Sequence, residues 1–203
     1  MYNKNNLEVY KIVSKERCEG VLSGVLFTGE ATVATDTHLL IEVSTPNNQD
    51  IEDYPTSKEY IINEHKPFVI KADVVKNLIK DIPKNSSLPI LENIVVAKSD
   101  DEEVASLVTA DFTTVNVHKV KKLTGNYPDY KQLFTKEDPK TTIRLSPELL
   151  KKIAEFYCKT LEAKSYIDVL IYDEDKPVEF RGENTVTEQE IRALLMPMKR
   201  DVS

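Results

Sequence analysis

The chain has 203 residues, 40% of them hydrophobic and 30% charged, with a net charge of −7. That balance fits a soluble globular protein of one or two domains, and the acidic total argues against wholesale coating of nucleic acid while leaving room for a local basic face. Two cysteines, Cys18 and Cys158, are too few for a disulfide framework or a zinc set and are expected to be reduced thiols, no apolar run reaches the ~18 residues of a membrane span, and "MYNKNNLEVY" lacks a signal-peptide core, so a cytoplasmic location is expected.

In chain order, "LEVYKIVS" (7–14), "VLSGVLFTG" (21–29) and "ATVATDTHLLIEVS" (31–44) read as strands, β-branched and bounded by turn residues. Residues 45–66 are polar and proline-containing and read as a long exposed connection. "PFVIKADVVKNLIKDIPK" (67–84) reads as a strand and then a helix: Val74, Val75, Leu78, Ile79 and Ile82 form one apolar stripe, Asp73 suits the N-cap and Pro83 the stop. Strands are expected at 89–99, 104–111 and 113–123. "TGNYPDYKQLFTKEDPKT" (124–141) is turn-rich and reads as a linker. Beyond it "TTIRL" suggests a strand, and "SPELLKKIAEFYCK" (146–159) a helix with Ser146 at N-cap, Pro147 at N1 and Glu148 in the first turn. Strands at 166–173, 176–182 and 190–198 follow. The order strand–helix–strand–strand–strand thus occurs twice, and the first 45 residues look like the same unit without its helix. One helix and a small sheet cannot bury their faces alone, so such units must pair.

Three of these stretches resemble the bacterial replication sliding clamp, the beta subunit of DNA polymerase III. "GVLFTGEATVATDTHLLIEV" is similar to that family's strand pair ending in Ala-Thr-Asp-Gly-His-Arg-Leu, "LTGNYPDYKQLF" to its Gly-x-Phe/Tyr-Pro-Asp-Tyr linker, and "LLMPMK" to its terminal Met-Pro-Met-Arg-Leu. "SSLPILENIVV" echoes a further clamp phrase. The resemblance implies an α+β DNA clamp fold, built from repeated β-α-β-β-β units with sheets outside and helices on the inner face. It divides the chain into a clamp-like domain at 1–123, its first unit lacking the helix, a linker at 124–140, and a C-terminal half-domain at 141–203. A full clamp subunit has three domains of two units each, so the chain resembles a shortened form.

By position, the resemblance implies a peptide-binding pocket made of Thr35, Thr37, His38, Leu39 and Leu40, of Pro128, Gln132 and Leu133, and of Leu194, Met196, Pro197 and Met198. An aliphatic and thioether floor suits leucine or phenylalanine anchors. The competing reading is that these residues only pack domain against domain, and Thr37 and Leu39 stand where the family has glycine and arginine. The resemblance also turns Lys76, Lys80 and Lys84 toward DNA phosphates, and, more weakly, Lys151, Lys152 and Lys159, whose helix face also carries Glu148 and Glu155. A solvated helix face is the plainer meaning of both sets.

Chemistry of bonds finds little support. His38, His65 and His118 form no metal spacing, there is no phosphate-cradling glycine loop, and Asp36 in "ATDTH" suits a turn held by side-chain-to-backbone bonds. The expectation is a non-enzymatic, cofactor-free, sliding-clamp-like processivity factor. Its implied partners are duplex DNA contacted without sequence specificity, a polymerase or other client peptide, a clamp loader and further copies of itself, with no membrane. The rival is a degenerate clamp-fold module that binds client peptides or clamp partners without encircling DNA. A nucleic-acid hydrolase stands third, for want of a metal cluster.

Overall fold

The computed structural model describes residues 1–47, 51–55, 60–62, 65–83, 88–111 and 113–198. They form two compact units, Met1–Tyr130 and Lys131–Ser203.

The first unit begins with a two-residue strand, β1 (Tyr2–Asn3), and runs straight into α1 (Lys4–Glu8). Asn3 caps α1: its side chain accepts from the N–H groups of Asn5 and Asn6, and the Asn6 side chain accepts in return from the Asn3 N–H. A tighter helical turn, Val9–Ile12, continues it. The strand expected at 7–14 is therefore helical, and the first unit has its helix. The capping box fixes the start, and Leu7, Val9, Tyr10 and Val13 then fall on the core side, a spacing that satisfies a helix as well as a strand.

Three strands follow, β2 (Gly24–Phe27), β3 (Ala31–Thr35) and β4 (Leu40–Ser44). The second repeat has β5 (Phe68–Lys71), α2 (Ala72–Leu78), β6 (Asn93–Ala97), β7 (Val104–Ala110) and β8 (Val115–Lys121). Lys71 takes the N-cap position of α2 without a side-chain bond, and Asp73 sits inside the first turn, ion-paired to Lys15 at 2.9 Å. The expected cap at Asp73 is thus displaced by two residues, because β5 passes into α2 without an intervening loop.

The sheets run β4-β3-β2-β5 and β1-β6-β7-β8, antiparallel throughout. Each repeat lends its first strand to the other repeat's sheet. β5 lies along β2 (Gly24 opposite Lys71, Phe27 opposite Phe68), and β1 lies along β6 (Asn3 opposite Asn93). Gly24 is needed at this crossing: a Cβ there would stand 2.5 Å from the Ile70 carbonyl oxygen and 2.7 Å from a Val69 methyl. One core joins Val25, Phe27 and Ala34 of the first sheet, Ile94, Val96 and Leu107 of the second, and Leu7, Val75, Leu78 and Ile82 of the helical layer. Full burial of each such side chain is worth roughly 1.5–3 kcal/mol.

Each repeat also ends in a tyrosine-bearing segment that covers the outer face of the other repeat's sheet. Tyr54 and Tyr60 pack on Val95, Ala97, Val108 and Ala110. Tyr127 and Tyr130 pack with Leu26, Val33 and Val69. The segment expected to be an exposed connection at 45–66 is therefore anchored in the core at Tyr54 and Tyr60, 1% and 7% exposed, and the expected linker begins as part of the first unit.

The second unit holds one repeat: α3 (Pro147–Thr160), then β9 (Asp168–Leu170), β10 (Val178–Asn184) and β11 (Gln189–Leu195) in the order β11-β10-β9. Ser146 caps α3 by accepting from the Leu149 N–H, with Pro147 at N1. Tyr157 of α3 packs on Val178, Phe180 and Leu195 and donates its hydroxyl to the Phe180 carbonyl at 2.9 Å. Gly182 makes room for the Tyr157 ring, which would lie 2.9 Å from a Cβ. The strand expected at "TTIRL" belongs to no sheet; its one backbone bond among the described residues is from the Met198 N–H to the Arg144 carbonyl, 2.8 Å.

Candidate functional site

The residues expected to line a peptide pocket fall in both units. In the first, Thr35 closes β3, Leu40 opens β4, and Asp36, Thr37, His38 and Leu39 make the turn between them. Asp36 organises that turn. Its Oδ1 accepts from the N–H groups of His38 (2.9 Å) and Leu39 (2.7 Å), and its Oδ2 accepts from the Arg17 guanidinium at 2.5 Å. These two N–H groups, and less strongly Arg17, hold the Asp36 carboxyl below its ordinary range. The Thr35 hydroxyl donates to the Leu39 carbonyl, 2.8 Å, and accepts from the Thr37 N–H, 3.0 Å.

Thr37 has φ of +78°, the left-handed region that a β-branched residue enters at a cost. The tight network around it holds it there, with Thr37, His38 and Leu39 exposed and Leu40 tucked against the Tyr130 cluster. The Tyr130 hydroxyl donates to Glu42 of β4 at 2.6 Å, which with burial raises its pKa. Tyr127 is pushed up to about 12 by burial. Both tyrosines therefore stay protonated and fix residues 127–130 on the sheet. Pro128 lies exposed between them, and Gln132 and Leu133 complete the helical turn Tyr130–Leu133, Leu133 being 74% exposed.

In the second unit the Met-Pro-Met run leaves the end of β11. Leu195 is buried, whereas Leu194, Met196 and Met198 are 66%, 63% and 56% exposed. Met196, Pro197 and Met198 line a cleft of about 410 Å³ together with Thr142, Arg144, Glu174 and Asp175. The last four carry no local sequence signal. Chain folding gathers them from the segment before α3 and from the loop between β9 and β10. Among the described residues the cleft thus joins a soft apolar floor to a rim holding one cation and two carboxylates.

The lysines sort similarly. Lys76 lies on α2, exposed, and Lys80 follows it with its ammonium donating to Asn77 Oδ1 at 3.0 Å. Lys84 lies outside the described residues. Lys76 shares the rim of a cleft of about 500 Å³ with Lys11, Lys15 and Lys71, tempered by Asp73 and Glu19. Lys11, Lys15 and Lys71 were not legible as members of this group, because the helical turn after α1 brings the first two beside α2. On α3, Lys151 pairs with Glu155 at 3.7 Å, while Lys152 and Lys159 are exposed. Among the described residues no group of three or more His, Cys, Asp and Glu could hold a metal ion, and no helix is long and apolar enough to cross a membrane.

No family model matches the chain, and none of the curated proteins compared with it does. Solved structures do. The DNA polymerase sliding clamp of Bacillus subtilis superposes with a TM-score of 0.65 at 17% identity over 98% of this chain and 48% of its own. A putative DNA polymerase III beta subunit from Eubacterium rectale gives 0.63 and 17% over 100% and 51%, and the Helicobacter pylori beta clamp with 3,4-difluorobenzamide gives 0.63 and 14% over 98% and 50%. The chain spans about half the length of these clamps. Its fold is that of the bacterial sliding clamps, an α+β arrangement of antiparallel sheets and a few helices.

Proposed function

We propose that the chain is a sliding-clamp-like replication processivity factor that tethers a polymerase or another client to duplex DNA. The observation that carries this reading is the fold: paired strand–helix–three-strand repeats matching sliding clamps over nearly the whole chain. The work is positional and electrostatic. Lys11, Lys15, Lys71 and Lys76 gather on one face of the first unit, where flexible ammonium groups suit phosphates of any sequence and let the protein slide. Lys80 and Lys84, and Lys151, Lys152 and Lys159 on α3, are the remaining candidates for that contact. Thr35, Thr37, His38, Leu39, Leu40, Pro128, Gln132, Leu133, Leu194, Met196, Pro197 and Met198 are the candidate client-peptide contacts. Exposed thioethers at 196 and 198 would accept leucine or phenylalanine anchors, and Arg144 with Glu174 and Asp175 would fix polar groups of the peptide. No bond is made or broken. The protein would work in the cytoplasm, in more than one copy, and a closed ring would need a loader.

A second reading, a clamp-fold module that holds client peptides without encircling DNA, is favoured by the half-length match and the net charge of −7. Two titrations separate them. Duplex affinity should fall steeply with salt, and Lys71→Glu with Lys76→Glu should flatten that slope by about two phosphate contacts. Binding of a clamp-client peptide should weaken about tenfold or more in Leu40→Ala with Met196→Ala. Peptide binding with no salt-dependent duplex binding selects the second reading, and loss of neither signal in the variants contradicts both site assignments.

A further inference from the structure

The second unit lacks what each repeat of the first unit receives from its neighbour. In the first unit, the strand before each helix ends at that helix's N-cap, β1 at Asn3 and β5 at Lys71, and crosses to the other repeat's sheet. It there flanks the first strand after the other helix, so β2 and β6 are both interior strands. In the second unit the corresponding strand, β9, is an open edge, with Val169 51% exposed. The corresponding donor, residues 142–146, ends at the N-cap Ser146 and has no sheet partner among the described residues.

The donor nevertheless holds its place. In the first unit the Val69 carbonyl, two residues before the N-cap, accepts from the Leu123 N–H just past β8 at 2.8 Å; in the second, the Arg144 carbonyl, also two residues before the N-cap, accepts from the Met198 N–H just past β11 at 2.8 Å. The bond within the repeat is made, and among the described residues no pairing with another repeat joins it. The helix tells the same story. Val75, the fourth residue of α2, is 0% exposed, whereas Leu150, the fourth of α3, is 40% exposed and Phe156 further along is 53%.

We infer that the second unit associates with the second unit of another copy of this chain by reciprocal strand exchange, residues 142–146 of each copy adding to β9 of the other while the apolar flanks of the two α3 helices meet. The occupant is a second copy because the second unit presents both a donor strand and the edge, β9, that corresponds to the strands such donors flank in the first unit, and a two-fold axis satisfies the two together. Within the chain, residues 131–140 between the first unit and the donor strand are all exposed and carry no further repeat. The inference stands apart from the DNA-tethering reading and is tested without DNA.

Sedimentation equilibrium of the full chain should give twice 23.1 kDa, with a dimer Kd below about 10 µM. Leu150→Glu with Phe156→Glu should weaken it about 100-fold or more, without loss of circular dichroism because both side chains are already exposed in the single copy. Val186→Glu, 77% exposed in the turn between β10 and β11, should leave it unchanged. Amide exchange at 142–146 and 168–170 should slow as the dimer forms. A 23.1 kDa species at about 100 µM, a dimer indifferent to the α3 changes, or unchanged exchange in both segments would overturn the inference.

Discussion

The two units put the same repeat in two situations. In the first, two copies of the strand–helix–three-strand plan trade strands, pack their helices over a common core and cover each other's outer sheet faces with tyrosines. In the second, one copy stands by itself. Its core is four buried side chains, Tyr157, Val178, Phe180 and Leu195, with partly buried neighbours, and Leu149, Leu150, Phe156, Val169 and Ile171 stay open. The helix forms equally well in both settings, because capping and periodicity are local. Burial does not follow from them; it depends on a neighbour.

The comparison can be broken by mutation. Leu78→Ala, at a position 3% exposed in the shared core, should cost about 3 kcal/mol in urea unfolding. Leu150→Ala removes the same atoms and, measured dilute enough to keep single copies, should cost less than about 1 kcal/mol. Equal losses would mean that α3 is as buried as α2. Asn3→Ala removes the side-chain half of the capping box on α1, leaving the backbone N–H of residue 3 to donate to Asn6, and should cost about 1 kcal/mol, whereas a strand at 7–14 would not notice it. Thr37→Gly relieves the positive φ in the β3–β4 turn and should raise stability by about 1 kcal/mol.

Acid should separate the units. Burial holds His65, bonded to the Tyr2 hydroxyl at 2.9 Å, below its ordinary value of 6.5. The unfolded chain takes up that proton first, so this contribution to the first unit is complete above 6.5 and declines as the pH falls below it. In the second unit Glu179, buried beneath Arg181, Tyr172 and Arg192, is lowered from 4.5 to about 2, Arg181 contributing most. Its contribution is complete above 4.5 and is lost between there and about 2. Unfolding followed by a reporter on each unit should show the first weakening at the higher pH, and Glu179→Gln should flatten only the second.

Sequence alone recovered α3 because Ser146, Pro147 and Glu148 state its start within three residues. It missed α1 because Leu7, Val9, Ile12 and Val13 suit two periodicities, and the deciding contact is between Asn3 and Asn6, upstream of the apolar run. It took 45–66 for an exposed connection because Tyr54 and Tyr60 sit among polar residues and are buried by strands far along the chain. At the candidate site, Thr35–Leu40 and Met196–Met198 were legible as contiguous words. Arg144, Glu174, Asp175, Lys11 and Lys15 were not, since only folding brings them to those clefts. The "TTIRL" stretch is the instructive case: its pattern is a strand's, and the described chain contains no sheet edge that receives it.

The central claim is a clamp-like hold on duplex DNA, and retention on closed circular against linearised DNA of one sequence tests it most directly. The account predicts that, after loading, protein stays on the circle at a salt concentration that strips ordinary phosphate contacts and runs off once the circle is cut. Equal, salt-sensitive loss from circular and linear DNA would contradict it.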